Sequence, residues 1–271
     1  MPPVIHCIRH GQGFHNVGTG CYTLPDPRLT PMGEEHNMAL REAACLLRSV
    51  KDISSLKGNS KCQPRIIAIP DAQETSDDPC DVGSDPSVLR KVVTESNWPV
   101  DLSLVKDGWN VKALGTSYSP ESNAIAARAR DARITIRQKI RQLIEQGQGD
   151  TDPQVALVTH GGFLHYFADD WEDSWLNPGT GWRNCETRSY VFEQDVMHDT
   201  DVEARITETT ESRLRRGKSS HRPAKDEQAV LFEQAMDSWE KQGLQRPDRI
   251  GINVETSEIA SVALNVHIVK K

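Results

Sequence analysis

The segment Val4-Ile-His-Cys-Ile-Arg9-His10-Gly-Gln12-Gly-Phe-His15-Asn16 decides the fold. Its apolar residues, Val4, Ile5, Cys7 and Ile8, have the look of a short strand buried on both faces. The run ends at Arg9-His10-Gly11, where the chain must turn. In an open α/β sheet, ligands sit just beyond the carboxyl ends of strands, so Arg9 and His10 are offered to a ligand. Gly11 and Gly13 let backbone amides come close to it. The triplet alone is weak evidence, because most histidines are surface or satisfied core residues. A second apolar strand, Val155-Ala-Leu-Val-Thr159, also ends in a histidine, in His160-Gly161-Gly162. Two strands delivering histidines to one sheet edge make a far more specific pattern than either alone.

The chain of 271 residues can bury a full core, as one α/β domain with insertions or as two domains. No apolar run approaches bilayer length, and the N-terminus lacks a basic-then-apolar leader, so a cytoplasmic location is expected. The net charge of −7 argues against a general nucleic-acid binder. It also requires that an anionic substrate be drawn by a local positive pocket. Six cysteines are scattered without a Cys-x-x-Cys pair, which fits reduced thiols better than disulfides or zinc. No metal or other cofactor is expected, and no membrane partner. The sequence leaves the oligomeric state open.

Beyond the first strand, Thr30-Pro31 has the form of a helix N-cap followed by proline at the first helical position. The helix it opens carries His36, Leu40, Ala43, Ala44 and Leu47 on one face. Lys51 to Pro64 is polar and reads as a loop, and Arg65 to Pro70 as a short strand. The acidic run from Asp71 to Asp85 reads as a mostly solvated loop, with Asp85-Pro86 capping a helix through Val93. From Ser119-Pro120 the longest helix carries the stripe Ile125, Ala129, Ala132, Ile136, Ile140 and Leu143, stopping at Gly147. Its arginines (Arg128, Arg130, Arg133, Arg137, Arg141) read as a solvated surface. Gly161 starts a helix whose leading amides would point at an anion near His160. Trp171, Trp175 and Trp182 fall in the loop that follows, and Tyr190 to Phe192 read as a strand. Residues 195–225 read as a polar linker, Glu227 to Gln242 as a helix with Phe232, Ala235, Met236 and Trp239 inward. A last strand is expected at Val262, Leu264, Val266 and Ile268. The domain expectation is an α/β unit over 1–194, a linker and packed helix over 195–249, and a tail over 250–271.

Several segments together resemble the histidine phosphatase superfamily, in its fungal phosphoglycerate mutase-like branch, from Val4 to about Gly243. They are Arg9-His10-Gly-Gln-Gly-Phe-His15-Asn16, Asp26-Pro-x-Leu-Thr30, and Gln73-Glu74-Thr with Pro79-Cys-Asp81-x-Gly83-Ser-Asp. Gly108-Trp109-x-x-Lys112, Val158-Thr-His160-Gly-Gly-Phe-Leu-His165-Tyr and Thr180-Gly-Trp182-x-Asn184-x-Glu186-x-Arg188-Ser-Tyr190 complete the set. The resemblance implies a three-layer αβα sandwich around a mostly parallel sheet. It implies covalent phosphoryl transfer on a small phosphate ester, with His10 as nucleophile. Arg9, Asn16 and Gly161 would bind the phosphoryl oxygens, and His160 would donate to them in the transition state. Glu74 would be the general acid, holding a proton near neutrality, with Asp77, Asp78 and Asp81 as its competitors. Gln12, His15 and Trp182 are the candidates for the surrounding pocket.

One departure matters. Relatives carry a strand ending in a Ser-Pro-Leu-Arg-Arg-Thr-like segment, whose arginine is the second jaw of the phosphate clamp. No such segment exists here, so one core strand-helix unit is expected to be missing. Arg41, Arg65, Arg128 or Lys112 would have to fill the vacancy. The leading expectation is therefore a phosphomonoesterase of reduced activity; hydrolysis is favoured over mutase action because nothing suggests a pocket that retains and turns its intermediate. The alternatives are an acid–base enzyme on a carboxylated metabolite and a catalytically silent binding protein.

Overall fold

A computed structural model describes residues 2–35, 66–146 and 153–252. The expected helix beyond residue 35, the loop at 51–64, the stop at Gly147 and the strand in the tail lie outside the described residues, as do Arg41 and Arg65.

The apolar runs form the expected strands. β1 (Val4–Arg9) pairs in parallel with β4 (Gln154–Thr159), and antiparallel with β5 (Thr187–Phe192), which pairs in turn with β6 (Ile206–Glu208). The four-stranded sheet is thus mixed, in the order β4-β1-β5-β6, within an α/β chain. A separate parallel pair joins β2 (Ile66–Ile67) to β3 (Val100–Asp101). The strand expected over 65–70 is shorter because Pro70, which has no N–H to give a ladder, begins a 3-10 turn, Pro70–Ala72.

One sheet face carries Ile5, Cys7, Leu157, Tyr190, Phe192 and Ile206 into the core. Against it pack α2 (Ser122–Glu145), α3 (Gly161–Ala168) and α5 (Lys225–Lys241), which follow α1 (Pro86–Glu95) in the chain. The α2 stripe is buried from Ile125 to Ile140, while Leu143 at its end is 39% exposed. β1 is not sealed on both faces, since Val4, His6 and Ile8 are only partly buried, and on β4 Val158 is 61% exposed.

Two expectations are corrected. The α2 arginines are not a solvated surface: Arg128, Arg133 and Arg137 are buried. Arg133 donates to the carbonyls of Glu203 and Phe167, Arg137 pairs with Asp199 at 2.6 Å, and Arg141 holds the carbonyls of Val196 and Asp199. Each long side chain thus reaches past its helix to satisfy loop backbone that would otherwise be buried unpaired. Residues 195–225 are not a linker either, because β6 extends the sheet and α4 (Thr210–Arg215) follows it, with Thr209 as N-cap. Trp171, Trp175 and Trp182 do fall in the loop after α3; Trp171 and Trp182 are buried in the core, where Trp171 packs edge-on to Phe232 of α5 at 4.7 Å, and of the three only Trp175 is exposed.

Candidate active site

The pairing of β1 with β4 builds the site. Arg9 lies opposite Thr159 in register, so the next residues of both strands, His10 and His160, emerge side by side. Their ring centroids are 5.0 Å apart in an edge-to-face arrangement, and the His15 ring stands 5.3 Å from His10. The His10 backbone is clamped by its own N–H to Thr159, and its carbonyl accepts from Cys185 N–H and Asn184 Nδ2.

His10 Nδ1 lies 2.7 Å from the Gly11 carbonyl, which fixes the proton there and leaves Nε2 with a lone pair. Burial, then the Arg9 charge, holds its pKa below the ordinary histidine value. Burial pushes His160 down to about 3 and His15 to about 4, so both rings are neutral at pH 7. Arg9 supplies the positive charge. It donates from Nη1 to the Trp182 carbonyl, while its Nε is buried without a partner. Gly161 is required next to it: a Cβ there would lie 2.1 Å from Thr180 Oγ1 and 3.4 Å from the Arg9 side chain.

Asn16 accepts through Oδ1 from Gly13 N–H at 3.0 Å and from Asn184 Nδ2 at 3.3 Å, which leaves its own amide nitrogen as the donor. Two pocket candidates serve otherwise. Gln12 is tied to Thr30 through both its side chain and its carbonyl, with Thr30 Oγ1 in turn capping the helical residues 31–35 through Gly33 N–H. Trp182 is buried beneath the Arg188 guanidinium, 3.7 Å away, so it offers the site a carbonyl and not a ring.

Glu74 departs most from expectation. Its Oε1 accepts from Thr75 N–H and Phe163 N–H, both at 2.9 Å, and its Oε2 from Gly162 N–H at 3.2 Å. The anion at the head of α3 is therefore the chain's own carboxylate, in a place where backbone amides and the helix dipole favour negative charge. Burial works against ionisation, but the neighbouring His160 and the three amides outweigh it and hold the carboxyl below its usual value. A proton is not retained on Glu74 near neutrality in this arrangement.

Arg128 and Lys112 do not stand in for a second clamp arginine. Arg128 donates to the carbonyls of Asp71, Gln73 and Glu74, and Lys112 Nζ to those of Glu74 (2.9 Å) and Ser76 (2.5 Å). Both brace the loop that presents Glu74. Sequence reasoning missed this bracing, as it missed Thr180 and Asn184 as supports of the site. The signals were present only as single polar residues in quoted motifs, without spacing to tie them to Arg9 or Asn16. Among the described residues, no group of three or more His, Cys, Asp or Glu side chains is arranged to hold a metal, and no helix is long and apolar enough to cross a membrane. Neither a family model nor a curated protein matches this chain.

Proposed function

We propose that the chain is a phosphomonoesterase of histidine phosphatase type, working through a phosphohistidine on His10 in a phosphoglycerate mutase-like αβα sandwich. The observation that carries this reading is the convergence of two neutral imidazoles, 5.0 Å apart, beside a buried guanidinium with a spare donor. His10 Nε2 attacks phosphorus, because its proton is held at Nδ1 by Gly11. Arg9 grips the phosphoryl oxygens, and neutral His160 donates an N–H where charge gathers in the transition state. Asn16 holds a further oxygen through its amide nitrogen.

The ionised Glu74 orders this machinery from α3 and attracts a proton towards His160. With Arg128 and Lys112 engaged as braces, one transition-state donor of the superfamily pattern has no counterpart among the described residues. That loss lowers the rate by about 10²–10³-fold. The substrate class is a small phosphate ester, handled in the cytoplasm. The occupied state of those two cations also favours a second reading, acid–base chemistry on a carboxylated metabolite anchored by Arg9 alone.

Acid-quench trapping with a ³²P-labelled generic phosphate ester tests the choice. Label on His10, absent in His10→Ala, is the expected result. Wild-type turnover no greater than that of His10→Ala overturns the proposal, and tight binding of a carboxylate without phosphate or vanadate binding supports the second reading.

A further inference from the structure

A phosphate ester brings two parts to the pocket, the phosphoryl group and the alcohol that leaves. We propose that His15 reads the alcohol portion, its Nε2–H donating to a hydroxyl oxygen there, so that the substrates are esters of hydroxyl-bearing alcohols and not bare alkyl phosphates. The assignment rests on the phosphomonoesterase reading above and narrows its substrate class.

His15 stands against the ring that attacks phosphorus. The two centroids are 5.3 Å apart, with the ring planes tilted by 43°. Its backbone lies in a single 3-10 turn, Phe14–Asn16, that is held at both ends. Phe14 N–H donates to the Arg28 carbonyl at 3.0 Å, and Asn16 N–H to the Gly13 carbonyl at 2.9 Å. Asn16 Oδ1 accepts from Gly13 N–H in return at 3.0 Å. The ring can lie where it does because residue 13 is glycine: a Cβ there would come within 2.5 Å of His15 Cε1 and 2.6 Å of Nδ1. The chain thus closes over one edge of the imidazole and decides which nitrogen is hidden.

The two ring nitrogens are left in different surroundings. Nδ1 is buried against Gly13 and has no partner. The residue as a whole is only partly buried, and among the described residues nothing hydrogen-bonds to Nε2. A neutral imidazole has one N–H and one lone pair. On Nδ1 the proton would be sealed in without an acceptor; on Nε2 it can meet a ligand or water. His15 therefore offers the space beside His10 a donor from a rigid seat.

The chemistry of that donor selects the acceptor. Burial, then the charges of His10 and Arg9, keeps the ring neutral at pH 7. A neutral N–H suits a hydroxyl oxygen, which brings no charge to be balanced. The Glu74 carboxylate, whose field reaches this ring, disfavours a second anionic group in the same place.

Steady-state hydrolysis by the full chain tests this with glycerol phosphate, propyl phosphate and phosphoglycolate. The first two share a carbon skeleton and differ in the hydroxyls. The ratio of their kcat/KM values is expected to favour glycerol phosphate about tenfold in the wild type. It should fall to about one in His15→Phe, which keeps a flat ring without the donor, and return in His15→Gln, whose amide nitrogen replaces Nε2. Both esters are read on one preparation, so loss of folded protein leaves the ratio unchanged. A wild-type ratio near one, or a ratio that survives His15→Phe, overturns the role of His15, while turnover above that of His10→Ala keeps the phosphatase reading. Faster turnover of phosphoglycolate than of glycerol phosphate overturns the hydroxyl class. Turnover of none of the three above His10→Ala overturns both readings.

Discussion

Two groups of buried charge lie on either side of β5, one at the end of β1 and one on β6, and they are finished differently. Under β6, the Glu208 carboxylate accepts from Ser212 Oγ at 2.6 Å and from Arg216 Nη2 and Nε at 3.0 and 3.1 Å, with Arg213 within 3.6 Å. Arg213 also reaches Glu172 and the carbonyls of Ser219 and His221, and Lys218 pairs with Asp173. This group pairs its charges within itself, although Arg213 Nη1, 3.6 Å from Glu208, makes no hydrogen bond. The site around Arg9 leaves polar atoms over: the donor Arg9 Nε and the ring nitrogen His15 Nδ1 are buried without partners. Unpaired buried polar atoms are costly, and a ligand that completed them would recover that cost. The first group joins β6 and α4 to Glu172 and Asp173, and the second keeps a guanidinium nitrogen without a protein partner beside the histidine rings.

That contrast can be broken by experiment. The largest effect is expected from His10→Ala, which should lower phosphate-ester turnover by ~10⁴-fold or more while leaving the urea midpoint close to wild type. Glu208→Ala should do the reverse. Stranding Arg213 and Arg216 in a dry environment is expected to cost about 3–5 kcal/mol in urea unfolding, with kcat of the surviving folded fraction little changed. Arg9→Lys keeps the charge but loses the planar fork, and should reduce kcat/KM by about 10²-fold, measurable in a steady-state titration.

The smallest effect sharpens the comparison through pH. His160 and His15 have folded values of about 3 and 4, below their unfolded value of 6.5. Between those limits the unfolded chain binds more protons than the folded one, so stability rises with pH there. It is complete above 6.5 and falls as acid is added, by at most ~1.4 kcal/mol per pH unit for each ring. Urea titrations at pH 7 and 5 should show this loss, and His160→Gln should flatten it.

The strands ending at Arg9 and Thr159 were legible because a continuous apolar run followed by His-Gly is a local signal, and in-register pairing then brings the histidines together. The α5 stripe of Ala235, Met236 and Trp239, closed by Gly243 at φ +77°, was legible for the same reason. What stayed hidden depends on partners far along the chain. Arg128 and Arg137 read as surface charges because nothing nearby in sequence shows the carbonyls at 71–74 or the carboxylate of Asp199 that they meet. Glu74 was found by its Gln-Glu context, yet its ionisation depends on amides 88 and 89 residues away. Arg213, Arg216 and Lys218 fell within the stretch read as a polar linker, where nothing local points to Glu172, Asp173 and Glu208, the carboxylates that they meet.

The carboxylate docked on Gly162 and Phe163 has a consequence for selectivity. Chloride, sulfate and other stray ions meet a berth that is already taken, so they have no head-of-helix perch from which to crowd out a substrate. On the proposed phosphatase reading, discrimination passes to the few donors around Arg9, and an invading anion must bring the right shape as well as the right sign.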